Sequence, residues 1–324
     1  MTKAIRFHKT GGADVLAWED ADVGDPGAGE IRIKHAAIGL NYIDVYHREG
    51  LYPLPLPSGI GLEASGVVEA VGDGVDTLKP GDRVAYGTGP IGAYSEARVM
   101  PAVTAVKIPD GIDDKTAGAM MLQGMTVEFL LCRAFPVQKG QTILFHAAAG
   151  GVGLIACQWA KAIGATVIGT VGNDEKAELA KAHGCDHPIV YTRQDFVDRV
   201  KRITKGAGVP VVYDSVGKDT FMDGLDCLSP FGYMANFGSA SGPPEPLNLG
   251  LLAPKGSLYV TRPTLMTYCA ARDDLELSSG RLFDMVGSGK VKIEVNQTYP
   301  LAEAAQAHRD LEARKTTGST VFTP

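Results

Sequence analysis

The segment that most restricts this 324-residue chain is LFHAAAGGVGLIACQWAKAIGATVIGTVG, residues 144–172. An apolar run, a turn of small residues, an amphipathic helical pattern and a second apolar run follow one another. Two strands joined by a helix lie parallel and are wound by a right-handed crossover. The alternation continues: a helix over 174–183 leads to a strand at HPIVY, and a helix over 194–204 leads to VPVVYDSVG. A fourth helix leads to GYMANFGS, and a last strand follows at GSLYVTRP. The pattern predicts a parallel sheet covered by helices on both faces, with the Pro/Gly-rich stretch SASGPPEPLNLGLLAPKG as a loop.

The chain before about residue 120 has a different grain. EIRIKHAAIGLN opens with period-two alternation, SGVVEAVGDGV reads as a strand ending in a Gly-Asp-Gly turn, and KPGDRVAY as a turn feeding a strand. Pro53, Pro55 and Pro57 exclude helix there. This part is expected to be β-rich and partly closed. The last residues carry a helix over 272–288, KVKIEVNQTYPL, a helix over 301–314 and a short strand.

Net charge is −6, with no Lys/Arg-rich run, so a nucleic-acid-binding stripe is not expected. The opening MTKAIRFHKTGG has no apolar core for a secretory leader, and no run approaches the ~20 apolar residues of a membrane span. The five cysteines are scattered, odd in number and without CxxC, which fits a reducing cytoplasm.

The turn from Ala148 to Gly153 fits GxGxxG with alanine in the first place. Such a turn offers backbone N–H groups and a helix N-terminus to a pyrophosphate. Gly150 and Gly151 would admit the phosphates, and Gly153 would let the helix pack on the first strand. A dinucleotide site is expected. NAD-binding folds usually carry an acid at the end of the second strand, for the ribose hydroxyls. Here that strand ends GTVG, without one. Asn173 would cap the next helix, with Asp174 and Glu175 in its first turn. Lys176 is either a 2′-phosphate ligand or a solvated lysine. The missing acid points to NADPH.

With both halves read, the chain resembles the medium-chain dehydrogenase/reductase superfamily. Within it the likeness is to the zinc-free quinone oxidoreductases, the group that includes zeta-crystallin, and especially to bacterial NADPH:quinone reductases. The matching pieces are AIGLNYIDVYHREGLYP, PSGIGLEASGVVEAVGDGV, KPGDRVAY, the 144–172 segment, VVYDSVG and GSLYVTRP. The resemblance implies an α/β protein: a GroES-like β-rich catalytic domain over 1–124, completed by 264–324, with a Rossmann domain over 125–263. It also implies that the cofactor lies in a cleft between them and that the chain forms a homodimer through the Rossmann sheet edge. Carried over by position, the nicotinamide and ribose contacts fall on Asn41, Tyr42 and Ile43, with Tyr46 and Thr126 nearby. The pyrophosphate loop falls on Gly150, Gly151 and Val152. The 2′-phosphate contacts fall on Gly172, Lys176 and Tyr191, and Ser215, Val216, Phe237, Gly238, Ser239 and Arg262 complete the site.

The zinc-dependent relatives carry Cys where Asn41 stands and His where Leu62 stands, just before Glu63. Asn and Leu are poor zinc ligands, so no metal is expected. Glu63, alone in GLEASG, is expected to pair with a nearby Arg or with backbone N–H groups beneath the site. The group His183, Cys185, Asp186 and His187 reads as turn and cap chemistry, and His146 as packing after the first parallel strand. Hydride delivery without a Lewis acid suits an acceptor that is already electrophilic, and quinones fit. Tyr46 and Tyr52 would stack on such an acceptor or hydrogen-bond its oxygen, or else simply pack a loop on the core. The expected activity is NADPH-dependent quinone reduction. The alternatives are reduction of activated alkenes such as enones, or NADPH binding without turnover.

Overall fold

The computed structural model describes residues 2–324. In chain order the elements begin with β1 (Thr2–Phe7), β2 (Ala17–Ala21), β3 (Glu30–Leu40), α1 (Tyr42–Glu49), β4 (Ser58–Gly59), β5 (Ala64–Val71), β6 (Arg83–Tyr86), β7 (Ala97–Pro101), β8 (Val106–Lys107), α2 (Asp114–Gly118) and α3 (Met121–Phe129). The middle of the chain holds β9 (Thr142–Phe145), α4 (Gly151–Ile163), β10 (Thr166–Val171), α5 (Asp174–Ala182), β11 (His187–Val190), α6 (Phe196–Ile203), β12 (Val209–Asp214), α7 (Phe221–Leu225), β13 (Leu228–Asn236) and β14 (Tyr259–Thr261). It closes with α8 (Leu265–Tyr268), α9 (Arg272–Gly287), β15 (Val295–Pro300), α10 (Ala304–Glu312) and β16 (Ser319–Thr323).

Two compact units result. The first takes the chain up to Met125 with Tyr268–Gly287 and Ile293–Pro324, and the second takes Thr126–Thr267 with Ser288–Lys292.

In the first unit one sheet runs β15-β16-β3-β5-β6-β8 with β7 beside β3, and a small sheet runs β2-β1-β4. The C-terminal strand β16 pairs antiparallel with β3 through Thr320–Leu40, Val321–Gly39 and Phe322–Ile38. The chain's two ends therefore share one core, with Ile33, Ile38, Tyr86, Tyr94 and Phe322 buried together. The sequence reading missed α1, because YIDVYHRE is only eight residues long and polar on average, and its neighbours read as strand. The helix stops at Gly50, whose φ of 87° suits glycine. Tertiary contact holds it. Fully buried Arg48 forks onto Glu312 of α10 with two bonds of 2.8 Å, and donates from Nε to Gly11 O at 2.9 Å.

In the second unit all strands are parallel, in the order β11-β10-β9-β12-β13-β14. This is the doubly wound arrangement, and the order reverses between β9 and β12. The loops leaving those two strands therefore diverge to opposite sides, which opens a crevice at their C-terminal ends. The strands are valine- and isoleucine-rich because both faces are covered, and Leu144, Ile168, Ile189, Val212 and Met234 form the core.

Candidate functional site

The crevice of the second unit is lined by the glycine turn. Helix α4 starts after Gly150, and no side chain caps it. Its first N–H groups, at Gly151 and Val152, are therefore aimed outward without a protein acceptor of that kind, as an anion site requires. A Cβ at Gly153 would stand 2.3 Å from Ala147 O and 2.7 Å from Ala148 Cα, so only glycine lets α4 approach β9 here. His146, next to this turn, is buried and shares a 2.9 Å hydrogen bond with Thr170 Oγ1, and burial keeps it neutral by lowering its pKa.

On the other side of the switch point, Asp214 ends β12 fully buried. It accepts from Val216 N at 2.8 Å, Gly217 N at 3.1 Å, Thr220 Oγ1 at 2.8 Å and Asn236 Nδ2 at 3.1 Å. One carboxylate thus ties the Ser215–Val216 loop to the end of β13. Phe237 N donates to Asp214 O at 2.8 Å, and a Cβ at Gly238 would stand 2.4 Å from Ser215 O. Arg262 donates to the Asn236 side chain, to Gly238 O at 2.7 Å and to Ser239 Oγ at 3.3 Å. The structure therefore brings Ser215, Val216, Phe237, Gly238, Ser239 and Arg262 into one laced set of strand-end loops.

At the ends of β10 and β11 a second cluster forms. A Cβ on Gly172 would lie 3.3 Å from Tyr191 Oη, and Thr192 Oγ1 donates to Gly172 O at 3.1 Å. Asn173 caps α5 by accepting from Lys176 N at 2.9 Å, as its sequence position suggested. Asp174 is held by Arg193, a residue the sequence reading did not single out. The signal was available in the topology: β10 and β11 are parallel neighbours, so the residues just past each strand meet.

The group at 183–187 serves structure. Asp186 accepts from Val167 N at 2.9 Å, and His183 Nδ1 shares a 2.8 Å hydrogen bond with Leu179 O. Thr126 is buried in α3.

In the first unit, Asn41 immediately precedes α1, and Tyr42, Ile43 and Tyr46 lie on that helix. Tyr46 stands 5.4 Å from Tyr42 and 5.3 Å from Tyr52, ring centre to ring centre, the latter edge to face. Tyr52 N donates to Tyr46 O at 3.1 Å, which pins the loop to the helix. Asn41, Tyr42, Tyr46 and Tyr52 thus form one patch.

Beneath it is Glu63, with no exposed surface. Its Oε1 accepts from Leu122 N at 2.9 Å and its Oε2 from Asn41 Nδ2 at 2.6 Å, and the nearby Met121 N–H favours the charged form. The backbone half of the expected pairing is present. The arginine is not: the side-chain partner is Asn41, the residue that stands where zinc relatives carry cysteine. Asn41 Oδ1 accepts from Gln123 Nε2 at 3.2 Å, and Gln123 Oε1 accepts from Ser319 Oγ at 2.8 Å. Leu62 is buried, with its side chain against Gly89. Among the described residues no three His, Cys, Asp or Glu side chains gather as a metal-holding group.

A second buried carboxylate, Asp44, accepts from Asn41 N at 2.9 Å and Tyr94 Oη at 2.8 Å. Tyr94 in turn meets His308 Nε2 at 3.2 Å, and Arg48 meets His308 Nδ1 at 3.1 Å. Burial pushes Asp44 up to about 7 and Glu63 up to about 8, and it pushes His308 down to about 3. The donors aimed at Glu63 oppose that rise and match the carboxylate form. Repulsion from Asp44 adds to it.

Residues 27–110 match the alcohol dehydrogenase GroES-like domain, and residues 151–276 match the zinc-binding dehydrogenase family. The latter match covers the parallel-sheet half and does not reach Asn41 or Leu62. The chain is 53% identical over 325 residues to a quinone oxidoreductase of Pseudomonas aeruginosa, covering 100% of both chains. It is 46% identical to a 2-haloacrylate reductase of a Burkholderia species, covering 100% of this chain and 99% of that one. The crystal structure of Escherichia coli quinone oxidoreductase complexed with NADPH superposes with a TM-score of 0.98 at 48% identity, over 99% of this chain and 100% of that one. A GroES-like β-rich unit joined to a doubly wound parallel sheet, at this level of identity over the whole length, defines an oxidoreductase that belongs to the quinone oxidoreductase family of the medium-chain dehydrogenases/reductases.

Proposed function

We propose that the protein reduces quinones with NADPH, by hydride transfer without a metal. The observation that carries this reading is the Asn41–Glu63 pair. At the position where zinc relatives place a thiolate, the chain has an amide already engaged by a buried carboxylate and by Gln123. That donor set suits hydrogen bonding to a ribose or an amide and suits zinc poorly. When bound, NADPH supplies a hydride, two electrons with one proton, and a second proton from solvent completes the hydroquinone.

The chain's own residues bind and orient. Gly150, Gly151 and Val152 offer N–H groups to the pyrophosphate. Ser215, Val216, Phe237, Gly238 and Ser239 form its second wall, braced by Arg262. Asn41, Tyr42, Ile43, Tyr46 and Thr126 hold the nicotinamide end. Gly172, Lys176 and Tyr191 take the 2′-phosphate, and two features support this phosphate over free ribose hydroxyls. β10 ends at Val171 without an acid, and the nearest acid, Asp174, is neutralised by Arg193. Tyr46 and Tyr52 shape the acceptor pocket, their edge-to-face rings offering an apolar wall with polar tips.

We further read the domains as 1–124 with 264–324, and 125–263. The reading includes a cytoplasmic homodimer that joins through the parallel-sheet edge. Exposed Tyr259 on edge strand β14, stacked at 4.6 Å on Tyr233, supports that edge as the contact.

A second acceptor class has a specific observation behind it: the 46% identical relative is a 2-haloacrylate reductase, which favours activated alkenes. NADPH oxidation measured with 1,4-benzoquinone, with a simple enone and with 2-chloroacrylate separates the two. Faster turnover of the quinone is expected. Activity confined to the alkenes would replace this reading with the second.

A further inference from the structure

The side-chain hydrogen bonds that link Ser319, Gln123, Asn41 and Glu63 run in one direction. Ser319 Oγ donates to Gln123 Oε1, Gln123 Nε2 donates to Asn41 Oδ1, and Asn41 Nδ2 donates to Glu63 Oε2. The chain ends at Glu63 because the carboxyl's other partners cannot turn round. The N–H groups of Leu122 and Met121 are backbone donors, fixed by the start of α3. The carboxylate fills the space that a side chain at position 39 would take: a Cβ on Gly39 would stand 2.2 Å from its Oε2.

An amide is nearly symmetric in shape, and packing alone leaves its two ends interchangeable. With Glu63 ionised, an obligate acceptor at one end and a donor relay at the other decide which end is nitrogen. We propose that Glu63, Gln123 and Ser319 are positioning residues that fix the orientation of the Asn41 amide, and so determine which of its ends is presented to the nicotinamide ribose. The proposal rests on the reading of Asn41 as a cofactor contact.

It has a consequence that a merely structural network lacks. In Glu63→Gln, the new amide must keep its oxygen toward the N–H groups of Leu122 and Met121. Its nitrogen then faces Asn41. Asn41 turns over to accept, its nitrogen now donates to Gln123 Oε1, and Gln123 Nε2 donates to Ser319 Oγ. Each bond of this relay survives, with its direction reversed, and the amide presents its opposite end. In Gln123→Glu alone, a carboxylate opposes Asn41 Oδ1, acceptor against acceptor. Combining the two substitutions moves the obligate acceptor to position 123 and satisfies the reversed chain again.

The experiment measures Tm and the dissociation constant for NADPH, by fluorescence titration, in wild type, Asn41→Ala, Glu63→Gln, Gln123→Glu, the double variant and Ser319→Ala. It is run near pH about 9, above the range in which buried Glu63 takes up its proton. Asp44, Tyr86 and Tyr94 are the ionisable groups that press on Glu63, and they are unchanged in every variant. Glu63→Gln is expected to keep Tm within about 4 °C while NADPH binding weakens about tenfold, the worth of one hydrogen bond. Gln123→Glu loses more Tm. The double variant regains most of that Tm and stays weak for NADPH. Ser319→Ala, the mildest change, weakens NADPH about twofold to threefold and keeps the test alive if a core variant fails to fold. A double variant that regains both Tm and wild-type affinity overturns the proposal. So does Glu63→Gln with wild-type affinity when Asn41→Ala has lost it. If Asn41→Ala itself binds NADPH like wild type, the cofactor role of Asn41 falls first, and the proposal with it.

Discussion

The glycine-turn region of the parallel-sheet unit and the Asn41 region of the first unit are assembled by different means. In the parallel-sheet unit the glycine turn is contiguous with the elements that shape it: the Ala148–Gly153 turn and α4 follow β9 directly, and Asp214 accepts from N–H groups two and three residues away. Around Asn41 the helix and its tyrosines are local, but the side-chain bonds that anchor them are not. Asn41 is bonded to residues 22 and 82 positions away, Gln123 to one 196 positions away, and Arg48 to one 264 positions away. A local motif places backbone groups through φ and ψ, which neighbouring residues settle. A buried polar network places side chains only after distant strands have paired. The first end should therefore tolerate changes outside its motif, and the second should respond to changes far along the chain.

The strongest way to break the contrast is Arg48→Ala. It leaves Glu312 without its fork and deprives α1 of its anchor, and unfolding in denaturant should lose about 3–5 kcal/mol. A loss under about 1 kcal/mol would mean that α1 stands on local contacts after all. Next comes pH. Asp44 and Glu63 have folded values of about 7 and about 8, above their ordinary 3.8 and 4.5. The folded chain therefore holds protons that the unfolded chain releases. Their contribution is complete below about pH 4 and is lost as pH rises through 7 and 8. Stability should drop by on the order of 3 kcal/mol per group between pH 5 and 8, and Glu63→Gln should remove its share of that slope. A slope unchanged in the variant would show that Glu63 titrates normally.

At the phosphate end the expected effects are smaller and more local. Gly153→Ala sets a methyl 2.3 Å from Ala147 O. It should cost about 1–3 kcal/mol and weaken NADPH and NADH alike. Selective loss of one cofactor would place Gly153 outside the shared pyrophosphate loop. Lys176→Ala should weaken NADPH about tenfold, roughly 1.4 kcal/mol, and leave NADH nearly unchanged. Equal loss of both would remove that lysine from the 2′-phosphate and turn attention to Arg193.

Arg193 and Gln123 show where sequence reasoning stopped. Asn41 could be read from NYID because the residue type and the pattern around it match a family. Gln123 and Ser319 belong to no motif, and nothing local distinguishes them from other polar residues near an element end. Arg193 reaches Asp174 only because β10 and β11 are adjacent, and that adjacency is a property of the sheet. Helix α1 was missed for the same reason: it is a short, polar eight-residue segment, and its anchor is the bond from its Arg48 to Glu312 of α10.

By itself the sequence determined the alternation that makes a parallel sheet, the glycine turn, the missing acid after β10 and the absence of cysteine and histidine at positions 41 and 62. These are matters of periodicity, backbone freedom and ligand chemistry, each set within a few residues. Only the tertiary structure decided what Glu63 supports. A buried carboxyl takes whichever donors the fold brings to it, and here β3, α1, α3 and β16 bring two backbone N–H groups and an amide whose orientation is passed along from the other end of the chain.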